Sequence, residues 1–170
     1  MKIGSVAAIL SLAVIAGGAA LIWYGSQSSE EAASGGSTEV VGDDVPFTTL
    51  ASGEQSSVSA RKNYIIHSDF QLRELWKMVN ASPVAPTVDF SVNDVIAVFT
   101  GEEPTAGYEI AVVKVMDSSS ERRIFIRIRK PGASCTPAQM LTNSFEIAVV
   151  PKTTLPLTHE DTVETISCLR

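Results

Sequence analysis

The chain has few of the residues that most often carry catalysis, metal binding or nucleic-acid binding. Its 170 residues include two histidines and two cysteines, and 13 Lys and Arg are outnumbered by 19 Asp and Glu. Binding to nucleic acids without sequence preference needs clustered basic side chains that displace phosphate counterions. With a formal net charge of -6, the sequence predicts no nucleic-acid partner.

The motifs of common enzyme and metal sites are also missing. His67 and His159 have no second ligand at metal-site spacing, and the nearest candidate is Asp161, two residues after His159. There is no G-x-S-x-G, no phosphate-binding glycine loop and no H-E-x-x-H. A nucleophilic pair of Cys135 with either histidine has no local support. The sequence therefore predicts a protein that is not an enzyme, with no catalytic residues, no metal ligands and no cofactor.

Apolar residues are concentrated at the N-terminus. Ile3 to Tyr24 is a run of 22 residues without a charge, and as a helix it would span about 33 Å, enough to cross a bilayer core. The run continues past the small residues Ala16 to Ala20 and ends in Trp23-Tyr24, where interfacial aromatic side chains belong. We predict an uncleaved signal anchor over residues 1–24, with a cleaved signal peptide and a secreted protein as the alternative.

The charges around this segment predict its orientation. Lys2 precedes it and Glu30-Glu31 follow it, which places the N-terminus in the cytoplasm and the rest of the chain outside. Residues 25–44 are rich in Ser, Gly and acidic side chains and are predicted to be a disordered linker. A single domain over residues 45–170 would then lie outside the cell membrane.

This domain is predicted to be β-dominated α+β. Ser68 to Gln71 has the form of a capping box, and apolar residues at i, i+3, i+4 and i+7 from Leu72 to Val79 predict one amphipathic helix. Asn80 and Pro83 would end it. Because no helices alternate with the strands, we expect antiparallel sheets of about six or seven strands. The predicted strands are Phe47–Leu50, Tyr64–Ile66, Val95–Thr100, Tyr108–Val115, Ile124–Arg129, Phe145–Val150 and Thr162–Cys168.

The two cysteines form an even pair in a domain that we place in an oxidising compartment. Cys135 lies in a predicted loop and Cys168 at the end of the last predicted strand. We predict a disulfide between them. The alternative is two buried cysteines that never meet.

Basic side chains concentrate around one predicted strand. They are Arg122, Arg123, Arg127, Arg129 and Lys130. One interpretation is a solvated sheet face balanced by acids such as Glu109, Glu121 and Glu146. The other is a docking face for an acidic partner, whose binding high salt would weaken.

A compact motif separates two of the apolar strands. Gly101 to Tyr108 reads GEEPTAGY, in the form G-x-x-P-T-x-G-Y. Pro104 fixes its own φ, Gly101 and Gly107 can adopt positive φ, and Tyr108 begins the next strand. These residue types predict a hairpin-like connection.

Further elements accompany this motif in order along the chain. They are Phe47-Thr48-Thr49-Leu50 with Gly53 and Ser57, the helix bearing Trp76, Asp89-Phe90-Ser91, Pro131-Gly132, Cys135, Gln139, Leu141-Thr142 and Val150-Pro151-Lys152. The series resembles the PrcB C-terminal domain family, the protease complex subunit PrcB-like proteins, over Val45 to Cys168. Asn143-Ser144-Phe145 departs from the N-P-aromatic pattern expected there.

The resemblance implies an exported or membrane-tethered accessory domain without catalytic activity, which associates with a surface protease. We expect a partner-binding loop of Gly101, Glu103, Pro104, Thr105, Gly107 and Tyr108. The same residues could instead serve only to turn and seat the chain. The P-T-x-G-Y segment is also similar to the N-P-T-T-G-Y loop of chagasin-type cysteine protease inhibitors. Their other two loop motifs, G-x-G-G and R-P-W/F, are missing, so inhibition is the alternative function.

Overall fold

The computed structural model describes residues 42–79, 81 and 84–168. The predicted signal anchor and all but the last three residues of the predicted linker therefore lie outside the described residues. Within the described ranges, no helix has the length and apolar character needed to cross a membrane.

Eight strands and one helix make up the described part of the chain. They are β1 (Asp43–Asp44), β2 (Thr48–Gly53), β3 (Lys62–Ile66), α1 (Asp69–Trp76), β4 (Asn93–Phe99), β5 (Glu109–Asp117), β6 (Arg122–Pro131), β7 (Phe145–Pro151) and β8 (Leu157–Ile166). The strands form two four-stranded sheets: an outer sheet in the order β1-β5-β6-β8 and a central sheet in the order β2-β7-β4-β3. The predicted β-dominated domain with one short helix is confirmed.

The inner strands of the central sheet, β4 and β7, are buried on both faces because their side chains point alternately into two cores. Odd-numbered residues of β4 and β7 pack with α1, and even-numbered ones pack with the outer sheet. On the helix side the core includes Val95, Ala97, Phe99, Phe145, Ile147, Leu72, Leu75 and Trp76. On the other side it includes Ile96, Val98, Val150, Ile110, Val112, Val115, Ile124 and Ile126. The near-continuous apolar runs of β4 and β7 follow from this double burial.

Helix α1 begins at the predicted cap and ends earlier than predicted. The Ser68 hydroxyl accepts a hydrogen bond from the Gln71 backbone N–H at 3.3 Å, and the Gln71 side chain accepts one from the His67 backbone N–H at 2.7 Å. The helix ends at Trp76, with Lys77 at its C-cap. Val79, the last apolar residue of the predicted helix, is buried beyond that end in a tighter turn.

The prediction of antiparallel sheets is wrong at one strand pair. Strands β6 and β8 run parallel, in register from Arg122 opposite Leu157 to Pro131 opposite Ile166. A parallel pair needs a crossover connection. Here the connecting chain passes through β7 in the central sheet and returns to the outer sheet. Strand β8 begins at Leu157, five residues before the predicted start at Thr162. The prediction missed these residues because Thr158 to Asp161 are polar and show no apolar alternation.

The predicted linker and first strands also need small corrections. Asp43–Asp44, the last residues of the predicted linker, form β1 by pairing with Asp117 and Met116 of β5. Strand β2 runs from Thr48 to Gly53, three residues beyond the predicted end at Leu50. Its pairing with β7 has a register shift between Thr49 and Ala51.

Arg122 does not belong to a solvated basic face. It is buried, and its guanidinium donates to both carboxylate oxygens of Asp117 at 2.6 and 2.7 Å. A third donor bonds the Pro151 carbonyl at the end of β7. The hydrogen bond from Arg122 lowers the pKa of the Asp117 carboxyl. The pair therefore joins the outer sheet to the central one, and its contribution to stability is lost as acid protonates Asp117.

The remaining arginines of β6 lie beside acids, as the solvated-face interpretation requires. Arg123 pairs with Glu121 at 2.6 Å and lies 3.6 Å from Glu160, and Arg129 pairs with Glu164 at 3.1 Å. Arg129 also lies 3.7 Å from Glu109. Two of these four acids, Glu160 and Glu164, come from β8, which the sequence pattern did not place next to β6.

Glu146 does not contribute to this balance. It is buried between the two sheets, where its carboxylate accepts from the Thr49 hydroxyl and the Val112 backbone N–H. The prediction that Glu146 balances the basic strand is therefore wrong, because its even-numbered position in β7 faces the inter-sheet core.

The predicted disulfide is confirmed. Cys135 and Cys168 are bonded, with their Cα atoms 4.9 Å apart. The bond ties the loop after β6 to the segment after β8. Beside it, the Gly132 N–H donates to the Ile166 carbonyl at 2.9 Å.

We expect Arg122→Met to lower the free energy of unfolding by about 1–3 kcal/mol, because it removes the buried donor that the Asp117 carboxylate and the Pro151 carbonyl share. Arg123→Met is the matched control on the same strand. Its pair with Glu121 is partly exposed, so the expected loss is below about 1 kcal/mol. Urea unfolding of both variants measures the difference. Equal losses would contradict this account of the Arg122 pair.

Candidate functional site

The loop at Gly101 to Tyr108 passes from one sheet to the other. It leaves β4 in the central sheet and enters β5 in the outer sheet, and these strands do not pair. The predicted hairpin-like connection is therefore wrong. Gly101 adopts φ 84°, and a Cβ placed there would lie 2.7 Å from the backbone nitrogen of Arg61. The close approach of this neighbouring backbone and the positive φ turn the chain out of the central sheet.

The loop is held along its length by the segment before β7. Glu103 and Thr142 exchange two backbone hydrogen bonds, of 2.8 and 3.0 Å. The buried Thr142 hydroxyl donates to the Thr105 carbonyl at 2.9 Å, and the Ser144 hydroxyl donates to the Tyr108 carbonyl at 2.6 Å. A further bond joins the Ala106 N–H to the Ala138 carbonyl at 3.0 Å. These bonds fix the conformation of the loop before any partner binds.

The six residues of the predicted binding loop differ in exposure. Gly101 is buried, Pro104 is exposed, and Glu103, Thr105, Gly107 and Tyr108 are partly buried. The structure therefore brings them together on one short segment, but it presents only part of that segment to solvent.

Two exposed apolar side chains, which the sequence pattern did not identify, extend this surface. Met140 is 48% exposed and Leu141 is 58% exposed. The antiparallel bridge between Glu103 and Thr142 places Leu141 across from Pro104. We call Glu102, Glu103, Pro104, Met140 and Leu141 the loop tip. In the sequence, the only sign of this surface is that Met140 and Leu141 are adjacent apolar residues within the mostly polar stretch 133–144. Their exposure depends on the bridge between Glu103 and Thr142, which the sequence pattern does not show.

One titratable group of the loop tip is perturbed. Partial burial raises the pKa of the Glu103 carboxyl. No ion pair to this carboxylate is formed among the described residues. Because desolvation disfavours the charged form, a cation brought by a partner would stabilise it.

The histidines lie apart from the loop tip and each contacts a carboxylate. His67 Nδ1 is 2.8 Å from Asp94, and His159 Nδ1 is 3.0 Å from Asp161. In the described part of the chain, no three His, Cys, Asp or Glu side chains group in a way that could hold a metal ion. The absence of catalytic activity and of a cofactor stays a prediction.

Comparison with known proteins identifies the segment that contains this loop. Residues 95–151 match the model of the family described as PrcB C-terminal. This segment is similar to the PrcB C-terminal family. No curated protein and no solved structure matches the chain.

The PrcB C-terminal match covers about a third of the chain, from β4 to the end of β7. It includes the whole loop Gly101 to Tyr108 and the segment with Thr142 and Ser144 that holds it. The PrcB C-terminal segment is therefore the unit that builds the loop tip.

The two glycines of the loop give a matched pair of variants. Both have positive φ, 84° and 90°, but a Cβ at Gly107 meets only Pro131 side-chain atoms at 3.9 Å. We expect Gly107→Ala to cost about 1 kcal/mol and Gly101→Ala about 3 kcal/mol or more, because only the second adds a backbone overlap. Thermal or urea unfolding measures both. If Gly107→Ala lowered the free energy of unfolding as much as Gly101→Ala, the positive φ and not the backbone overlap would account for the loss.

Proposed function

We propose that this protein is a membrane-anchored, extracytoplasmic accessory domain that binds a partner protein through the loop tip, with a surface protease as the partner class. The observation that carries the proposal is an exposed apolar pair, Met140 and Leu141, beside Pro104 on a loop that is already fixed. Exposed apolar clusters with polar surroundings are typical of protein contact sites.

The fixed loop supports binding because ordering costs are avoided. A loop held by the Glu103–Thr142 bridge and by the Thr142 and Ser144 hydroxyls loses little conformational entropy on binding. The partly buried Glu103 carboxylate adds a preference for a cationic side chain of the partner.

The family supports the class of partner. The PrcB C-terminal match covers the loop tip, and the resemblance described above is to subunits of a protease complex. The Cys135–Cys168 disulfide supports an oxidising location, because such bonds persist in exported proteins and are rare in the cytosol.

We expect Leu141→Ser in the full-length chain to weaken capture of the partner about tenfold or more, because the substitution removes apolar area from the centre of the contact. The measurement is crosslinking in intact cells, followed by quantification of the partner band by mass spectrometry.

Val92→Ser is the matched control. Val92 is also 58% exposed, but it precedes β4 while the loop follows it, about 20 Å away along the strand. If the Leu141→Ser chain captures as much partner as the Val92→Ser chain, the loop tip is only structural.

The location is tested separately. In intact cells we expect added protease to digest the domain and a membrane-impermeant thiol reagent to label it only after reduction, because Cys135 and Cys168 are bonded and the proposed location puts them outside the membrane. A chain with both cysteines replaced by serine controls for unspecific labelling. Thiols that are free without reduction, on a domain that is digested only after lysis, would contradict an extracytoplasmic location.

Inhibition of a cysteine protease is the second candidate function. It is favoured by the rigidity of the P-T-x-G-Y loop, since an inhibitory loop must hold its shape inside a protease cleft. Addition of the full chain to the captured protease, and to a cysteine protease of the papain type, distinguishes the candidates. If protease activity is unchanged at a micromolar concentration of the full chain, inhibition is excluded and the accessory role is retained.

A further inference from the structure

A cleft runs between the two sheets on the side where β2 and β5 face each other. We call this cleft the seam. One wall consists of Ser52, Gly53 and Glu54 at the end of β2, and the other of residues 108–111 at the start of β5. Its floor comes from residues 144–146, and its volume is about 380 Å³. This size lies within the range of ordinary binding pockets.

Both walls of the seam are strand edges without a neighbouring strand. Strand β2 is the edge of the central sheet. Strand β5 is covered by β1 only at Met116 and Asp117, and by one further bond from the Val45 N–H to the Val115 carbonyl. Over residues 109–112, β5 pairs with β6 on one side and faces the seam on the other.

Ser144, just before β7, and Glu146 within it satisfy two backbone groups that face the seam, one just before β5 and one within it. The Ser144 hydroxyl donates to the Tyr108 carbonyl at 2.6 Å, and the Val112 N–H donates to the Glu146 carboxylate at 3.0 Å. Because backbone groups alternate in direction along a strand, Ile110 lies between them and faces the same way. Among the described residues, no hydrogen bond is formed to the outward N–H and carbonyl of Ile110.

The opposite side of the two sheets, between β3 and β8, has a smaller cleft of about 150 Å³. There the Arg61 guanidinium, just before β3, donates to the Asp161 carboxylate of β8 at 2.7 Å. At the seam the corresponding link between the sheets lies deep, where the Val112 N–H of β5 donates to the Glu146 carboxylate of β7 at 3.0 Å. The upper part of the seam is therefore open, with the exposed carboxylates of Glu54 and Glu109 on its two walls.

We propose that the seam takes an extended segment of the partner protein that carries basic side chains and adds to the edge of β5 as a strand. This inference rests on the proposed function, since it names how the partner binds. The unpaired groups of Ile110 supply the backbone hydrogen bonds, and Glu54, Glu109 and the buried Glu146 supply the negative charge that favours a basic segment. Tyr108 joins the seam to the loop tip, so that one partner contacts both.

The test uses the full-length chain in detergent micelles and three short synthetic peptides of equal length. The first alternates lysine and valine, the second replaces each lysine with glutamate, and the third is the lysine peptide with alternate backbone nitrogens methylated. The readout is hydrogen exchange of individual amides by NMR. We expect the lysine peptide to slow exchange at Ile110 about tenfold or more at millimolar concentration, and the other two peptides to have little effect.

Two charge variants complete the test. Glu54→Lys should weaken binding of the lysine peptide about tenfold. Glu74→Lys, at an exposed position of α1, should leave the affinity for this peptide unchanged. Unchanged exchange at Ile110 with every peptide overturns the proposal. Equal protection by the glutamate peptide also overturns it. If, in the absence of peptide, protection of the Ile110 amide increases with the concentration of the chain, a second copy of the chain fills the seam. This result would exclude a dedicated site for the partner.

The outcome is independent of the loop tip. The peptides bind without the partner, so a failure of Leu141→Ser to reduce partner capture leaves the expected protection at Ile110 unchanged. Conversely, an unprotected Ile110 leaves capture through the loop tip intact.

Discussion

Burial of the central sheet on both faces is the constraint on which the rest of the structure depends. Because α1 covers one face and the outer sheet covers the other, β4 and β7 have no solvent-facing side on which polar residues could be placed freely. On the helix side the ring centroids of Phe99 and Phe145 lie 6.1 Å apart, while Ile96 and Val98 face the outer sheet. Any polar side chain on these strands must find partners inside the protein, since an unpaired buried polar group is costly.

Glu146 and Arg122 meet this requirement in different ways, and both connect the sheets. Glu146 bonds the edge of β5 and the neighbouring strand β2, whereas Arg122 of the outer sheet reaches the last carbonyl of β7. Buried polar contacts of this kind fix the position of one sheet against the other more than they add stability. The contacts of Glu146 lie beside the seam, where the edge of β2 and, over residues 109–112, the edge of β5 have no neighbouring strand.

The sequence was sufficient for elements whose signal is local. The cap at Ser68, the apolar runs of β4 and β7, and the pairing of the two cysteines could all be predicted from residue types and spacing. The long-range arrangement could not. The stretch 157–161 lacks apolar alternation because both faces of β8 are exposed, so its parallel pairing with β6 leaves no pattern. The loop residues were identified by motif, but the exposure of Met140 and Leu141 depends on the bridge between Glu103 and Thr142, two residues far apart in the chain.

The parallel pairing of β8 leaves that strand held along one edge. Among the described residues its strand neighbour is β6, and the chain between the two strands passes through β7 of the central sheet. Because both faces of β8 are exposed, the strand gains little from side-chain burial. It is held by its backbone bonds, by ion pairs with Arg61, Arg123 and Arg129 and by the Cys135–Cys168 link. We therefore expect β8 to detach first when the chain is reduced, which would expose the edge of β6 to other molecules.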